Sequence, residues 1–161
     1  MQLAKHILLL TLAFVLQTTW AHSLAIAQVK PDLLVLALFY IALGSDPLKA
    51  TLLAFCFGFI QDTYAPANLG LNALVKSAVT FAINWSRSEI MVDNISVQVA
   101  FAGGAVLVHD LIFYIGYTGL PWSDVPFFWL RYSLGSAAYT AALAAVLSYV
   151  LLLRRYLLPP S

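Results

Sequence analysis

Hydrophobic stretches too short to cross a bilayer alternate with single charged residues between Lys30 and Trp85. The charged positions inside this region are Asp32, Asp46, Lys49, Asp62 and Lys76. Over the 161 residues, hydrophobic types make up 62% and charged types 9%, and the mean hydropathy is +0.89. A chain with so little polar surface cannot cover a globule in water. We therefore predict an integral membrane protein.

The length of the chain limits the number of membrane crossings. Because a helix needs about 20 apolar residues to cross roughly 30 Å of hydrocarbon, the chain has room for about six crossings with short loops. We predict an all-α transmembrane bundle that forms a single domain over residues 1–161. The predicted spans cover about residues 7–27, 33–44, 48–61, 71–85, 95–117 and 129–153. The second and third are either short, tilted spans or a re-entrant pair.

Helix boundaries can be placed from the residues at the helix ends. Pro31 suits the first turn of a helix, and Asp32 then faces the positive end of that helix. Ser45 or Asp46 is expected to cap the helix that Pro47 begins. The first span has the positive start and small residues of a secretory leader, but its apolar region is long, and we predict that it is retained.

The distribution of positive charge predicts the orientation. A six-crossing chain has both termini on one side, and that side would carry Lys5, Lys49, Arg87, Arg154 and Arg155. The other side would carry Lys30 and Arg131. Since short cytoplasmic loops are enriched in Lys and Arg, both termini are predicted to be cytoplasmic.

Several ionisable residues fall within the predicted spans or at the end of one, at a similar depth in the outer half of the membrane. They are Asp62, Lys76, His109 and Asp110. Intramembrane charges normally pair or line a polar cavity. Lys76 is expected to pair with Asp62 or Asp110, either as a structural ion pair or as part of a site for a ligand or partner. His109 and its neighbour Asp110 are expected to point to different helix faces.

Small residues recur at four-residue spacing in the last span, where they allow close helix packing. They are Ser136, Thr140, Ala144 and Ser148. Packing within the subunit and contact with another protein are both compatible with this face. Cys56, the single cysteine, lies in an apolar stretch and is expected in the core.

The sequence lacks common motifs for phosphate binding, metal binding and nucleophilic catalysis. The chain has no Gly-rich phosphate loop, no histidine pair at metal-binding spacing and no glycine-flanked serine nucleophile. We therefore predict no catalytic residues, no metal and no cofactor. A formal net charge of +1 gives no basic patch for nucleic acid.

Three motifs in order resemble the successive signatures of the MreD family of bacterial rod shape-determining proteins. They are KPDLLVL at 30–36, GFIQD at 58–62 and LGLNAL at 69–74. The matching positions that we single out are Pro31, Asp32, Gln61, Asp62, Gly70 and Asn72. The resemblance implies a non-enzymatic, multi-pass subunit of the cell-elongation complex in the bacterial inner membrane, in contact with membrane lipid. Its implied partners are MreC, MreB, RodA and the transpeptidase that works with RodA, and its implied role is to regulate lateral peptidoglycan synthesis.

The six-helix pattern is also similar to the substrate-binding S components of energy-coupling-factor transporters, which supplies an alternative function as a vitamin-type transport subunit. Those subunits carry an Ala-xxx-Ala ridge on the cytoplasmic half of the first helix. Here the corresponding pair, Ala21 and Ala25, lies towards the outer end of the first span. This position favours the shape-determining subunit.

Overall fold

The computed structural model describes residues 2–19, 29–88 and 94–157, which fold as an all-α bundle without β-strands in these ranges. The principal helices are α1 (Gln2–Thr19), α2 (Leu33–Gly44), α3 (Pro47–Asp62), α4 (Leu71–Trp85), α5 (Ile95–Gly116), α6 (Val125–Phe128) and α7 (Leu134–Leu157). A π-helical segment, Trp129–Ser133, joins α6 to α7. The predicted fold class is confirmed.

The helices fall into two length classes. Among the described residues, three helical stretches are long and apolar enough to cross a membrane, namely Gln2–Thr19, Ile95–Gly116 and Val125–Leu153. At 1.5 Å per residue, the 12 residues of α2 extend about 18 Å and the 16 residues of α3 about 24 Å. Neither reaches the roughly 30 Å of a hydrocarbon core. The prediction of a short second and third helix is therefore confirmed.

The first and last spans differ from their predicted bounds. Helix α1 begins at Gln2 rather than Ile7, since Lys5 and His6 are accommodated in its exposed or partly exposed first turns. Its predicted continuation to residue 27 lies outside the described residues. The last span begins at Val125, because Val125 and Pro126 start a helical turn that the π segment continues into α7.

Helix α2 lies at the centre of the bundle. It contacts α1, α3, α4, α5 and α7, and eight of its residues are buried. One group of core residues joins Phe39 of α2 to α4, α5 and α7, and a second joins Leu34 and Leu38 to α1 and α3. A helix that is apolar on all sides is expected in such a central position.

Polar side chains close both ends of α2. At its start, the Asp32 side chain accepts a hydrogen bond from the Val35 N–H. At its end, Asn84 Nδ2 donates to the carbonyls of Ala42 at 2.7 Å and Ser45 at 3.1 Å, and an Arg87 guanidinium N–H also donates to Ser45. These bonds satisfy carbonyls that a helix end leaves without partners. Asp46, one of the two predicted capping residues, then caps α3.

Helix α1 runs antiparallel to α2, and α5 runs antiparallel to α7. His6 near the start of α1 lies 3.5 Å from Ser45 at the α2–α3 turn, measured from Nδ1 to Oγ. Ser148 near the end of α7 contacts Gln98 at the start of α5. The start of α1, the α2–α3 turn and the end of α7 therefore lie at one end of the bundle. Helices α2 and α4 begin towards the opposite end.

Candidate functional site

Asp62 lies at the close crossing of α3 and α4. Its carboxylate accepts hydrogen bonds from the backbone N–H and the side-chain amide of Asn72 and from the backbone N–H of Ala73, at 2.9 to 3.0 Å. The cap position of α4 itself is Gly70, which has a φ of 91° and no side chain to accept such bonds. Asp62, fully buried, therefore caps α4 from the neighbouring helix.

Gly58 makes this crossing possible. A Cβ atom at position 58 would lie 2.6 Å from the Ala73 Cα and 2.7 Å from the Asn72 carbonyl oxygen. Since neither backbone atom can move aside alone, only glycine allows α3 to approach α4 this closely. Gly58 and Asp62 of one motif thus act on Asn72 and Ala73 of the next.

Asn72 connects this crossing to a buried ammonium group. Lys76 Nζ, on a residue that is 1% exposed, donates to Asn72 Oδ1 at 3.3 Å. The same nitrogen lies 3.6 Å from Asp32 Oδ2 and 2.9 Å from His109 Nε2. The ammonium group therefore has two hydrogen-bond partners, Asn72 and His109, and one ion-pair partner, Asp32.

Asp32 brings α2 into the same site. One of its carboxylate oxygens caps α2 through Val35, and the other faces Lys76. Its backbone N–H donates to Thr140 Oγ1 of α7 at 3.1 Å. Gln17 of α1 accepts from the Leu34 N–H in the next turn. The start of α2 is therefore fixed by side chains from three helices.

His109 and Asp110 complete the site from α5. His109 Nδ1 lies 3.0 Å from Asp110 Oδ1, and His109 is 4% exposed. If a charged Lys76 donates to Nε2, the imidazole is neutral and its single proton is on Nδ1, where Asp110 accepts it. We refer to Asp32, Asp62, Asn72, Lys76, His109 and Asp110 as the polar network.

The structure changes two expectations about this network. Lys76 pairs with Asp32 rather than with Asp62 or Asp110, because N–H groups at the start of α4 occupy Asp62 and His109 occupies Asp110. His109 and Asp110 do not act on separate faces, since their side chains bond to each other.

The remaining motif residues have smaller roles. Pro31 is buried just before α2, and Gly70 supplies the left-handed conformation that precedes α4. Gln61 Oε1 is buried and has no hydrogen-bond partner among the described residues. The hydrogen bonds of Gln17 and Thr140 at the start of α2 were not predicted from the sequence. A polar side chain within each apolar span was a signal for them.

The small-residue face of the last span packs inside the chain. Thr140, Ala144 and Ser148 are buried, and Tyr40 Oη of α2 bonds to the Ala144 carbonyl and to Ser148 Oγ. Ser136 is only partly buried, and Ser133 and Ala137 are the buried members of the face on that side. Cys56 is exposed rather than in the core, since it lies on the outward face of α3.

The polar network can hold protons and charge. Within the described ranges, no three His, Cys, Asp or Glu side chains are grouped as metal ligands. Its only nucleophilic nitrogens, those of Lys76 and His109, bond to each other in the interior. Through side chains, the network joins α3, α4 and α5 to the start of α2.

Long apolar helices around a short, buried central helix and an internal polar network define a polytopic membrane protein. The family model described as rod shape-determining protein MreD matches residues 1–158. The chain belongs to this family and is a rod shape-determining membrane protein. No curated protein and no solved structure matches the chain. The likeness to transporter S components therefore stays a prediction.

Proposed function

We propose that the protein is a non-enzymatic subunit of the cell-elongation complex that binds MreC and so acts on MreB, RodA and the transpeptidase that works with RodA. Membership of the MreD family over residues 1–158 is the observation that carries this proposal. Control of lateral peptidoglycan synthesis would follow from which of these proteins the subunit holds in the membrane.

The lateral surface suits a protein that binds partners within the bilayer. Helix α1 buries only Leu10 and Ala13, whereas Leu8 and Leu12 are more than half exposed. On α3, the rings of Phe55 and Phe59 stack on each other and are exposed. These faces contact lipid or another transmembrane helix, and helix association in lipid depends on such surface packing.

The proposal includes an orientation of the bundle in the membrane, which rests on the positions of the basic residues. Lys49 and Arg87 are exposed at the end of the bundle where α1 begins, and Arg131 lies in the π segment towards the other end. By the positive-inside rule, the first end faces the cytoplasm in the inner membrane. Residues 1–161 then act as one integral-membrane domain with both termini cytoplasmic.

Affinity capture from the native membrane tests the proposal. The tagged full-length protein is extracted into lipid nanodiscs, and the captured proteins are identified by mass spectrometry. MreC is expected among them, together with RodA and its transpeptidase. A tagged, unrelated six-helix membrane protein expressed to the same level is the control for non-specific capture.

Two outcomes would contradict the proposal. Capture of a transporter ATPase module in place of MreC would favour the vitamin-transport alternative. Capture of neither, from membranes in which depletion of this protein rounds the cells, would show that shape determination does not depend on a stable complex with MreC.

A further inference from the structure

The contact between Lys76 and His109 contains a single proton. The two nitrogens lie 2.9 Å apart, a hydrogen-bond distance that requires one nitrogen to donate and the other to accept. Lys76 and His109 cannot therefore both be fully protonated in this arrangement. With the Lys76 ammonium as the donor, the imidazole is neutral and the pair carries one positive charge.

Two carboxylates share that positive charge. Asp32 Oδ2 lies 3.6 Å from Lys76 Nζ and 4.0 Å from His109 Nδ1, and Asp110 Oδ1 lies 3.0 Å from His109 Nδ1. With both carboxylates ionised and Lys76 charged, this part of the network has a net negative charge. An unneutralised charge inside a membrane protein is unfavourable, so the cluster has a place for one more proton.

The groups that face His109 come from several elements. Lys76 of α4 and Asp32 before α2 are its charged neighbours, with Asp110 on its own helix. Phe113 stacks on the imidazole ring at a centroid distance of 6.2 Å. Helix α7 contributes the uncharged Thr140 through the backbone of Asp32. Among the described residues, the extra proton would thus be held between two carboxylates and one ammonium group.

We propose that the polar network is a proton-sensitive link between α4 and α5. Before protonation, the lone pair of His109 Nε2 accepts the Lys76 N–H. A proton from water then binds this lone pair. The imidazolium then pairs with Asp110, and Lys76 keeps Asp32. One shared hydrogen bond between α4 and α5 is replaced by two separate ion pairs, and like charges on Lys76 and His109 push the helices apart. Histidine suits this role because its charge changes most readily between about pH 5 and pH 8.

The link lies beside an open seam between the two helices. An apolar surface groove of about 420 Å³ runs along the two helices, lined by residues that include Val79 and Ile83 of α4 and Gly104 and Val108 of α5. Val79 is one turn from Lys76, and Val108 precedes His109. Separation at the network would widen this groove, whereas the α3–α4 crossing at Gly58 would be unaffected. This inference does not depend on MreC binding.

Nuclear magnetic resonance of the imidazole nitrogens tests the protonation step in the full-length protein in lipid nanodiscs. His6→Gln and His22→Gln leave His109 as the only labelled histidine. The expected result is a neutral ring protonated on Nδ1 near pH 8, and uptake of one proton on Nε2 on acidification towards about pH 5. A ring that stays neutral over this range would overturn the proposal.

A distance measurement tests the mechanical step separately. Spin labels are attached at Ala78→Cys on α4 and Ile112→Cys on α5, and Cys56→Ser removes the native cysteine. The distance between the two labels reports the separation of the helices. We expect the label distance to increase over the pH range in which His109 takes up its proton. With Lys76→Met the increase should be lost, while Lys49→Met should retain it. Protonation of His109 without any change in this label distance, in the protein that retains Lys76, would also overturn the proposal.

Discussion

Lys76 is the residue on which the polar network depends, since its ammonium group bonds to side chains from the start of α2, from its own helix and from α5. Lys76→Met keeps the length of the side chain but leaves Asp32 without its cation. Removal of one partner of a buried ion pair typically costs about 3 to 5 kcal/mol. We expect a loss of stability of this order in thermal unfolding of the protein in detergent.

Two further variants separate charge from packing. Lys49→Met removes an exposed lysine and should leave the unfolding temperature nearly unchanged. Asp32→Asn combined with Lys76→Met removes both charges and should recover part of the loss. Equal instability in the single and double variants would contradict the ion-pair explanation.

Asp62 supports a second prediction at the residue scale. Asp62→Ala removes the acceptor for three N–H groups at the start of α4. A buried donor without a partner costs about 1 to 3 kcal/mol, so we expect destabilisation by at least about 2 kcal/mol in chemical unfolding. Asp124→Ala, at an exposed carboxylate, is the matched control. Similar stability of the two variants would show that water replaces Asp62 as the cap.

At the scale of elements, the crossing of α3 and α4 gives a prediction about Gly58. Gly58→Ala places a methyl group against the backbone of α4, so the helices must separate. Such overpacking typically costs about 1 to 3 kcal/mol, measured here as a lower unfolding temperature. Gly104→Ala is the control, because a Cβ there meets nothing within 4 Å and alanine favours the helix. A Gly58 variant as stable as the Gly104 variant would contradict the close crossing.

The elements themselves were largely predictable from the sequence, because apolar runs and capping residues are local signals. Asp46 with Pro47 placed the start of α3, whereas Pro31 was expected in the first turn of α2 and lies before Asp32, the N-cap of that helix. The pairing of charges was not predictable in the same way. Depth estimates placed Lys76 near two carboxylates of similar level, but its partner is Asp32, since the rotation of each helix decides which side chains meet. The π segment before α7 had no sequence signal either.

At the scale of the whole molecule, charged and polar residues lie towards both ends of the bundle. The polar network lies near the end where α2 and α4 begin, while Lys49 and Arg87 lie at the opposite end. Asn84 and Arg87 hold the end of α2 there, so side chains cap the backbone at both ends of α2, and at the start an ion pair with Lys76 is added. A short central helix fixed at both ends positions the longer helices that surround it.

Chemical labelling tests the orientation of this arrangement. In a Cys56→Ser background, a cysteine is introduced either at Ser123, in the exposed loop before α6, or at Lys49, at the other end of the bundle. An impermeant maleimide should label the Ser123→Cys protein in cells whose outer membrane has been made permeable, because the positive-inside rule places this loop outside the cytoplasm. The Lys49→Cys protein should react only after lysis. The reverse labelling pattern would place the α2–α3 turn, and with it both chain termini, on the external face, and the polar network would then lie nearer the cytoplasm.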